Sequence, residues 1–354
     1  MNHGFMPQGL RILYLGREAA ETSSRQRADA LRRLGHYVEI LNPDAVMPRN
    51  RVLSQVNFRT GYRLYTGAAF RYVRERVGER NYDIVWIDGG HSMCAESVRW
   101  LKKRARFVVN MSMDDPTGPR EPSKWSTLLR AIPEYDLCVV VRDFNCQELM
   151  DLGAKKVLHV MRCYDELAHA RLPYSAQDEG FWGSEVVFVG TWMPERGPFM
   201  EELIRLGVPL TIYGNKWQRA TSWPVIEPHW RSASATGANY VKAIQYSKIA
   251  IGMLSKGNRD LHTQRSAEIP FIGSVFCAER TREHVQMFED GEEAVFWTSP
   301  KECAAACQAL LKDPARCEKM TEAARAKVEA LGLGNEAVCA QILEAVTEQM
   351  GCVR

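Results

Sequence analysis

The segment EVVFVGTWMPERGPFMEELIRLGVPLTIYG (185–214) predicts a strand, a helix and a second strand in succession. The apolar run 185–190 ends in a glycine, the helical pattern 198–207 ends in another, and the run 209–214 follows. Strands that alternate with helices are typical of parallel sheets, because parallel strands need a long crossover connection. This segment therefore predicts a Rossmann-like α/β unit.

The same alternation extends in both directions along the chain, and only the polar segment 168–184 interrupts it. We therefore expect two Rossmann-like domains with parallel sheets that face each other across a cleft, followed by C-terminal helices. The predicted parts are an N-terminal domain (1–168), a linker (169–184), a C-terminal domain (185–332) and a last helix that packs back on the N-terminal domain (333–354).

The composition is that of an ordinary globular protein. The chain has 354 residues, 45% of them hydrophobic and 25% charged, with a net charge of +3, so the charge alone gives no strong attraction to nucleic acid. Ten scattered cysteines include no C-x-x-C pair, and no histidine or second pair joins Cys303 and Cys307 to complete a zinc site. We expect a cytoplasmic protein with reduced thiols and no bound metal or cofactor.

Two strand–glycine–helix turns are the first candidate sites. One contains Gly16, and the other contains Gly190 and Thr191, with Arg196 six residues beyond Gly190. Helix N-termini favour anions, and a guanidinium there is able to contact a phosphate. Neither turn has the G-x-G-x-x-G or Walker pattern. The alternatives are a plain tight turn and, for Arg196, an exposed surface side chain.

The stretch GNRDLHTQRSAEIP (257–270) is the second candidate, because it places five ionisable residues between two apolar runs. We expect Thr263 to cap a short helix that Pro270 ends or kinks, so that the amides of 263–265 face outward. Arg265 and this helix end suit a diphosphate, and the Glu268 carboxylate suits paired sugar hydroxyls. The alternative is a surface ion pair between Arg265 and Glu268.

The first domain offers polar residues after two strands. DGGH (88–91) and SMDDPTG (112–118) place Asp88, His91, Asp114 and Asp115 at the same edge of the predicted sheet. His91 is a candidate base or acceptor contact, although a single histidine is more often structural. The paired aspartates either bind a metal or cap a turn, and the second role is at least as well supported.

Residues 51–80 contain seven arginines and two glutamates, with aromatic residues between them. One interpretation is the solvated face of an amphipathic helix. The other is a patch for an anionic acceptor, such as a membrane surface, a lipid-linked diphosphate or nucleic acid. The second interpretation predicts a protein that is peripheral at the membrane.

The segment 185–214, together with SKIAIGML, KGNRDLHTQRSAEIP and GSVFCAERTREHVQMFEDGEEAVFW, resembles the C-terminal domain of the CgeB-like (spore-maturation-protein-like) glycosyltransferases. These belong to the broad GT-B superfamily. The first domain is similar more loosely, through DIVWIDGG, SMDDPTG and YDLCVVVRDFNCQELMDLGAKKV. The resemblance implies a nucleotide-sugar held mainly by the second domain.

The resemblance also implies roles for individual residues. Glu268 binds the ribose hydroxyls, and Asp260, eight positions earlier, contacts the donor sugar in place of the more common glutamate. Amides near His262 and Thr263 hold the diphosphate, whose charge Arg196 neutralises. The strand end at Tyr213 contacts the base. His91 and Asp114 are the catalytic candidates on the acceptor side, near Gly16 and Asp88.

The expected activity is transfer of a hexose from a nucleoside diphosphate sugar, with UDP-sugars favoured, to an acceptor hydroxyl, with retention and without a metal. The acceptor class stays open among glycan, lipid-linked sugar, protein and nucleic acid. The alternatives are a nucleotide-sugar epimerase or hydrolase on the same fold, and a non-catalytic scaffold that keeps the fold.

Overall fold

The computed structural model describes residues 9–48, 50–233 and 235–352, and the ends of the outermost predicted domains, at residues 1 and 354, lie outside them. Strands and helices alternate through the described residues. The strands are β1 (Arg11–Leu15), β2 (Tyr37–Leu41), β3 (Tyr82–Asp88), β4 (Ala105–Ser112), β5 (Leu137–Val140), β6 (Val157–His159), β7 (Ser184–Val189), β8 (Leu210–Tyr213), β9 (Trp230–Ser232), β10 (Ser247–Gly252), β11 (Val275–Glu279) and β12 (Val295–Trp297).

The helices connect these strands and follow the last of them. They are α1 (Ser23–Arg33), α2 (Arg51–Arg59), α3 (Thr66–Val77), α4 (Ala95–Lys102), α5 (Ser126–Ala131), α6 (Asp143–Asp151), α7 (Ala176–Trp182), α8 (Arg196–Arg205), α9 (Trp223–Ile226), α10 (Ala238–Gln245), α11 (Arg265–Ile272), α12 (Arg282–Met287), α13 (Pro300–Leu311), α14 (Pro314–Ala330) and α15 (Asn335–Cys352). None of the helices formed by the described residues is both long and apolar enough to cross a membrane.

The chain divides into two compact units. Unit 1 comprises the residues up to Met161, the short stretch Gly257–Arg259 and the residues from Asn335 onward, and unit 2 comprises Arg162–Lys256 and Asp260–Gly334. Each unit contains one parallel sheet of six strands, in the order β2-β1-β3-β4-β5-β6 or β12-β11-β10-β7-β8-β9. The predicted fold class of two Rossmann-like α/β domains is confirmed.

Each sheet is buried because helices cover it. In unit 1 the central strands β1, β3 and β4 carry almost fully buried side chains, including Leu13, Val85 and Val108. In unit 2 the strands β7, β10 and β11 do the same, with Val186, Ile249 and others in one apolar core. Each such side chain contributes roughly 1.5–3 kcal/mol by leaving water, so the apolar runs of the sequence become the interior of both units.

The segment 169–184 differs from its prediction as a linker, because it lies within unit 2. The Gln245 side chain accepts a hydrogen bond from the Leu172 amide at 2.7 Å and donates one to the Leu172 carbonyl at 2.9 Å. Arg171 Nε donates to the Ile272 carbonyl at 2.6 Å. These hydrogen bonds attach the polar segment to other residues of unit 2, and α7 buries Trp182 there.

The last helix, α15, belongs to unit 1, where it packs against α1. The pair is fixed by an ion pair between Arg33 and Glu336 and by burial of Ile342 and Val346. The chain therefore returns to the unit in which it began.

Candidate functional site

The turn after β7 is held very tightly. The Gly190 amide donates to the Tyr213 carbonyl at 2.9 Å, and the Gly190 carbonyl accepts from Trp217 Nε1 at 2.9 Å. A Cβ at Gly214, whose φ is +144°, would lie 1.9 Å from the Gly190 carbonyl oxygen. Glycine is required at Gly214 because no side chain fits this approach. The two neighbouring strand ends are locked together at the edge where such sheets bind ligands.

Arg196, the first residue of α8, is buried beside this turn, with 7% of the residue exposed. Its guanidinium donates to the carbonyls of Thr191 at 2.8 Å, Leu254 at 3.3 Å and Met253 at 3.5 Å. The interpretation of Arg196 as an exposed surface side chain is wrong, because the ends of β7 and β10 enclose it. Its positive charge is fixed at the strand ends by backbone contacts.

Arg265 lies at the same turn. Its Nε donates to the Val189 carbonyl at 2.8 Å, and its guanidinium lies 5.9 Å from the centre of the Tyr240 ring. The side chain is half-buried, and its two terminal nitrogens have no hydrogen-bond acceptor among the described residues. The alternative of an Arg265–Glu268 ion pair is wrong, since Arg265 is directed to the end of β7. Arg196 and Arg265 thus converge on one strand end.

The amides before α11 differ from their prediction in detail. The Thr263 amide donates to Ser266 Oγ at 3.0 Å, and no side chain caps the helix, which begins at Arg265. The expected Thr263 cap is therefore wrong, because Ser266 takes up the Thr263 amide from inside the helix. The amides of Gln264 and Arg265 donate to no acceptor in the described part of the chain. They are the free N–H groups of this helix end.

A buried chain of hydrogen bonds fixes this loop. Ser266 Oγ lies 2.8 Å from His284 Nε2, and His284 Nδ1 lies 2.7 Å from the Glu279 carbonyl. Because a carbonyl only accepts, Nδ1 carries the proton and Nε2 accepts from the serine hydroxyl. Burial lowers the pKa of His284 to about 4, so its ring is neutral near pH 7. The loop before α11 is thereby tied to β11.

Pro270 lies inside α11, which continues to Ile272. The expectation that Pro270 ends the helix is wrong, because Gly273 still donates to the Ile269 carbonyl at 2.9 Å. Glu268, in the first turn of α11, is held by neighbours on two sides. Tyr240 Oη donates to Glu268 Oε2 at 2.7 Å, and His169 Nε2 lies 3.6 Å from Oε1. The carboxylate is therefore positioned before any ligand arrives.

The two groups that face Glu268 both carry a proton. His169 Nδ1 accepts from the Asp165 amide at 2.8 Å, so its proton is on Nε2, which faces Glu268. Burial, and then the Glu268 carboxylate, raise the pKa of Tyr240 well above its ordinary value, and its hydroxyl stays protonated. Sequence analysis missed both residues. His169 lies in the predicted linker, and Tyr240 lies in an ordinary amphipathic helix.

The His262 side chain is bonded within unit 2. Its Nε2 accepts from the Arg162 amide at 3.0 Å, and its Nδ1 donates to Glu283 at 2.5 Å. Both ring nitrogens are used by the protein, and burial lowers the pKa of the ring. Asp260 lies beside it and pairs with the Arg162 guanidinium at 3.3 Å, with 4% of the aspartate side chain exposed. These residues anchor the loop in unit 2.

Tyr213 ends β8 and is 2% exposed. Its ring centre lies 5.4 Å from that of Trp182 in α7, and burial raises the pKa of its hydroxyl. The side chain therefore packs inside unit 2. Its carbonyl, which accepts from Gly190, is the part of the residue at the strand end.

In unit 1, the turn after β1 is equally crowded. A Cβ at Gly16 would lie 2.3 Å from Ser24 Oγ and 2.7 Å from the Tyr14 ring. Asp88 accepts from Arg27 at 2.6 Å and from Tyr14 Oη at 2.7 Å. The side chains of Arg27 and Asp88 are 2% and 7% exposed. The predicted acceptor-side Asp88 is therefore part of a buried ion pair below the turn.

His91 lies in unit 1 next to Asp44, a residue that sequence analysis did not select. His91 Nε2 is 3.2 Å from Asp44 Oδ2, and Ser92 Oγ donates to Asp44 at 3.0 Å. Burial raises the pKa of Asp44, but the hydrogen bonds from His91 and Ser92 outweigh it and hold the pKa below its ordinary value. The Tyr62 ring covers the imidazole, with ring centres 4.4 Å apart.

The two adjacent aspartates of unit 1 have separate surroundings. Asp114 is 53% exposed and lies 3.5 Å from Lys124 Nζ. Asp115 is buried and receives two hydrogen bonds from Arg259, each of 2.7 Å. Arg259 also donates to Glu148 at 2.8 Å, and this bond lowers the pKa of Glu148. Arg259 and Asp115 thus form a bidentate ion pair within unit 1. This arrangement does not support the interpretation that the two adjacent aspartates bind a metal.

Three cysteines that are distant in sequence meet in the core of unit 2. Cys277 Sγ is 3.9 Å from Cys303 Sγ, and the sulfur atoms of Cys277, Cys303 and Cys307 lie within 4.8 Å of one another. No histidine or second cysteine pair was expected to join Cys303 and Cys307, and the residue that joins them is a single cysteine of β11, Cys277. Thiolates suit zinc and copper(I), so in the described part of the chain these three residues are a group able to hold such an ion.

Comparison with known proteins gives the same architecture. Residues 196–343 match a family described as glycosyl transferase-like, which is less than half of the chain. No curated protein matches the chain.

Many solved structures are similar. Sucrose-phosphate synthase from Thermosynechococcus elongatus has a TM-score of 0.69 at 13% identity, over 98% of this chain and 100% of that one. HepE from Anabaena, solved with UDP and glucose, has a TM-score of 0.63 at 12% identity, over 96% and 100%. A Listeria monocytogenes structure assigned as a UDP-N-acetylglucosamine 2-epimerase has 0.60 at 11%, over 97% of both chains. The chain has the GT-B fold.

Proposed function

We propose that this protein transfers a sugar from a nucleoside diphosphate sugar, with UDP-sugars favoured, to an acceptor hydroxyl. One observation carries the proposal. Among the residues that the structure describes, two nitrogens of Arg265 beside the buried Arg196 at the end of β7 have no acceptor, and neither do the amides of Gln264 and Arg265 at the start of α11. Fixed cations and N–H groups of this kind suit a diphosphate.

The chemistry follows from where charge develops. The acceptor oxygen forms a bond to the anomeric carbon and loses its proton to a base, while the bond between that carbon and the diphosphate breaks and negative charge collects on the leaving phosphate. Donors that are already in place stabilise this charge without reorganisation. Because Arg265 and Arg196 supply positive charge, we propose that no metal ion is required. Glu268, held by Tyr240 and His169, is the proposed contact for the ribose hydroxyls.

The other residues receive proposed roles from their surroundings. The resemblance to the CgeB-like enzymes supports a hexose donor, and the fold shared with HepE, which was solved with UDP and glucose, supports UDP. Gly190, Thr191 and the Tyr213 backbone shape the strand end, while His262 and Asp260 anchor the loop. Gly16 allows the tight turn in unit 1. Asp114, more than half exposed, is a proposed acceptor contact.

Donor binding is the direct test of this function. A saturating UDP-sugar is expected to stabilise the protein by about 2.7 kcal/mol at a ligand concentration of 100 times Kd, in buffer with EDTA as well as without. Glu268→Gln is expected to weaken binding about tenfold, because the amide keeps the Tyr240 contact but loses the charge-assisted bond to the ribose. Thermal unfolding with UDP, GDP, TDP and CMP sugars measures both the stabilisation by the donor and the loss of affinity in Glu268→Gln.

The matched control is Glu318→Gln, which removes an exposed carboxylate elsewhere in unit 2. It should bind the donor as the native protein does. If none of the nucleotides stabilises the protein, the non-catalytic scaffold replaces this proposal. If the donor is consumed to the same extent with and without acceptor, an epimerase or hydrolase replaces it.

The acceptor side is tested through His91. His91 Nε2 faces Asp44, and Nδ1 has no partner in the described part of the chain. We propose that Nδ1 takes the acceptor proton, so His91→Asn is expected to lower kcat for transfer by about 10²- to 10⁴-fold and to leave donor binding unchanged. Initial rates with excess acceptor measure this effect. Unchanged kcat would exclude a base role for His91.

Retention of the anomeric configuration is proposed from the resemblance, and proton NMR of the first-formed anomer tests it.

A further inference from the structure

Helix α2 in unit 1 has only one buried side chain. Asn57 is buried, whereas the other eight side chains of Arg51–Arg59 are exposed. Three of the exposed side chains are aliphatic: Val52 at 69%, Leu53 at 45% and Val56 at 40%. Their spacing places them on one face of the helix. A row of exposed aliphatic side chains has a free-energy cost in water unless something covers it.

Arginines surround this aliphatic face. Arg51 and Arg59 lie at the two ends of α2, and Arg63 follows in the next turn, close in sequence to Leu64, which is 66% exposed. None of these three arginines forms an ion pair within the described part of the chain. Further exposed arginines lie on α3 (Arg71, Arg74, Arg76). The surface is therefore both apolar and strongly basic.

This combination distinguishes between the partners that a basic surface attracts. Nucleic acid accounts for arginines, but it does not cover three adjacent aliphatic side chains on a helix. An anionic bilayer accounts for both features, because the aliphatic face enters the headgroup boundary while the arginines stay with the lipid phosphates. Long arginine side chains reach the headgroups from positions beside the apolar face.

We propose that α2 docks unit 1 on an anionic lipid bilayer, with Val52, Leu53 and Val56 inserted at the headgroup boundary.

This docking has a consequence for the class of acceptor, which rests on the proposed function. The segment after α2 contains Tyr62, whose ring covers His91. A membrane at α2 would bring lipid headgroups close to the His91–Asp44 pair, so the acceptor class that fits is a hydroxyl on a lipid or a lipid-linked sugar.

Vesicle co-sedimentation of the full chain tests the docking. Vesicles of phosphatidylcholine alone are expected to bind weakly, and vesicles that also contain phosphatidylglycerol are expected to bind strongly. The variant Arg51→Gln/Arg59→Gln/Arg63→Gln is expected to lose about a hundredfold in partition coefficient, from roughly fivefold for each arginine. The variant Val52→Ser/Leu53→Ser/Val56→Ser is expected to lose about tenfold or more, because its aliphatic face no longer inserts.

Matched controls remove similar groups from other surfaces. Leu167→Ser/Leu331→Ser changes exposed leucines of unit 2, and Arg219→Gln/Lys319→Gln removes exposed cations there. Both should bind vesicles as the native protein does. The proposal would be overturned by an equal loss of vesicle binding in the controls, by no preference for anionic vesicles, or by an aliphatic variant that binds normally. So would tighter binding to duplex DNA than to vesicles, or a native dimer that the aliphatic variant abolishes.

Vesicle binding and UDP-sugar binding are measured separately, so the docking of α2 and the proposed function are tested independently. UDP-sugar binding should be the same in the α2 variants as in the native protein, since α2 belongs to unit 1 and the donor residues to unit 2. Vesicle binding without nucleotide binding would refute only the proposed function. Nucleotide binding without vesicle binding would refute only the docking of α2.

Discussion

Replacing Arg265 with alanine is expected to lower kcat by about 10²- to 10³-fold, the usual result of removing one fixed donor from a developing anion. Arg265 is the arginine whose two terminal nitrogens have no acceptor in the described structure, whereas Arg196 is occupied by three carbonyls. Initial rates of UDP release in the presence of acceptor measure the effect. Arg265→Lys should recover only part of the activity, because an ammonium lacks the planar fork.

The controls for this experiment separate chemistry from folding. Arg219→Ala removes an exposed arginine of the same unit and should leave the rate unchanged. The bond from Arg265 to the Val189 carbonyl is worth about 1 kcal/mol, so the melting temperature should fall only slightly in Arg265→Ala. A variant with native melting behaviour and a rate within threefold of the native one would remove Arg265 from the proposed site.

Arg27→Met is expected to destabilise the protein by about 3–5 kcal/mol, because it leaves the Asp88 carboxylate buried without its cation. The two side chains are 2% and 7% exposed, and their closest atoms are 2.6 Å apart. Among the described residues, Tyr14 is then the donor that remains to Asp88. Equilibrium unfolding in urea, with the m-value compared between variants, measures the loss.

The same substitution on the same helix provides the control. Arg25 pairs with Asp29 at 2.8 Å, but these side chains are 35% and 37% exposed, and such pairs contribute about 0.5 kcal/mol or less. Arg25→Met should therefore have a small effect. The double variant Arg27→Met/Asp88→Asn should recover part of the stability, since it removes the buried charge. Equal losses for Arg25→Met and Arg27→Met would contradict the account.

Much of the fold was predictable because its elements are local patterns. Apolar runs that end in a glycine at Gly16 and Gly190 became β1 and β7. The side chains of Ser299 and Asp313 cap the starts of α13 and α14 through local hydrogen bonds. A strand or helix depends mainly on the spacing of apolar residues along a short segment. The two parallel sheets follow from the order of these elements.

The candidate site was predictable only in part. The segment 257–270 was selected correctly as unusual, and its Arg265 does lie at a strand end with Arg196. The assignment of Thr263 as a cap was wrong, and the ring of His262, near whose amide the diphosphate was expected, is bonded within the protein. Ser266 takes the Thr263 amide, while Arg162 and Glu283 take the two ring nitrogens of His262. The type of a residue determines which hydrogen bonds its side chain is able to form. It does not determine which partner the side chain contacts in the folded protein.

The sequence by itself determined the elements, their alternation and the identity of the charged segment, because each depends on residues within about ten positions of one another. Only the tertiary structure decided which charges serve the fold and which stay available. Arg27 meets Asp88 across 61 positions, Arg265 meets Val189 across 76, and Arg259 meets Asp115 across 144. Such contacts form when the sheets fold, since burial requires each charge to find a partner, and what remains unpaired defines the candidate site.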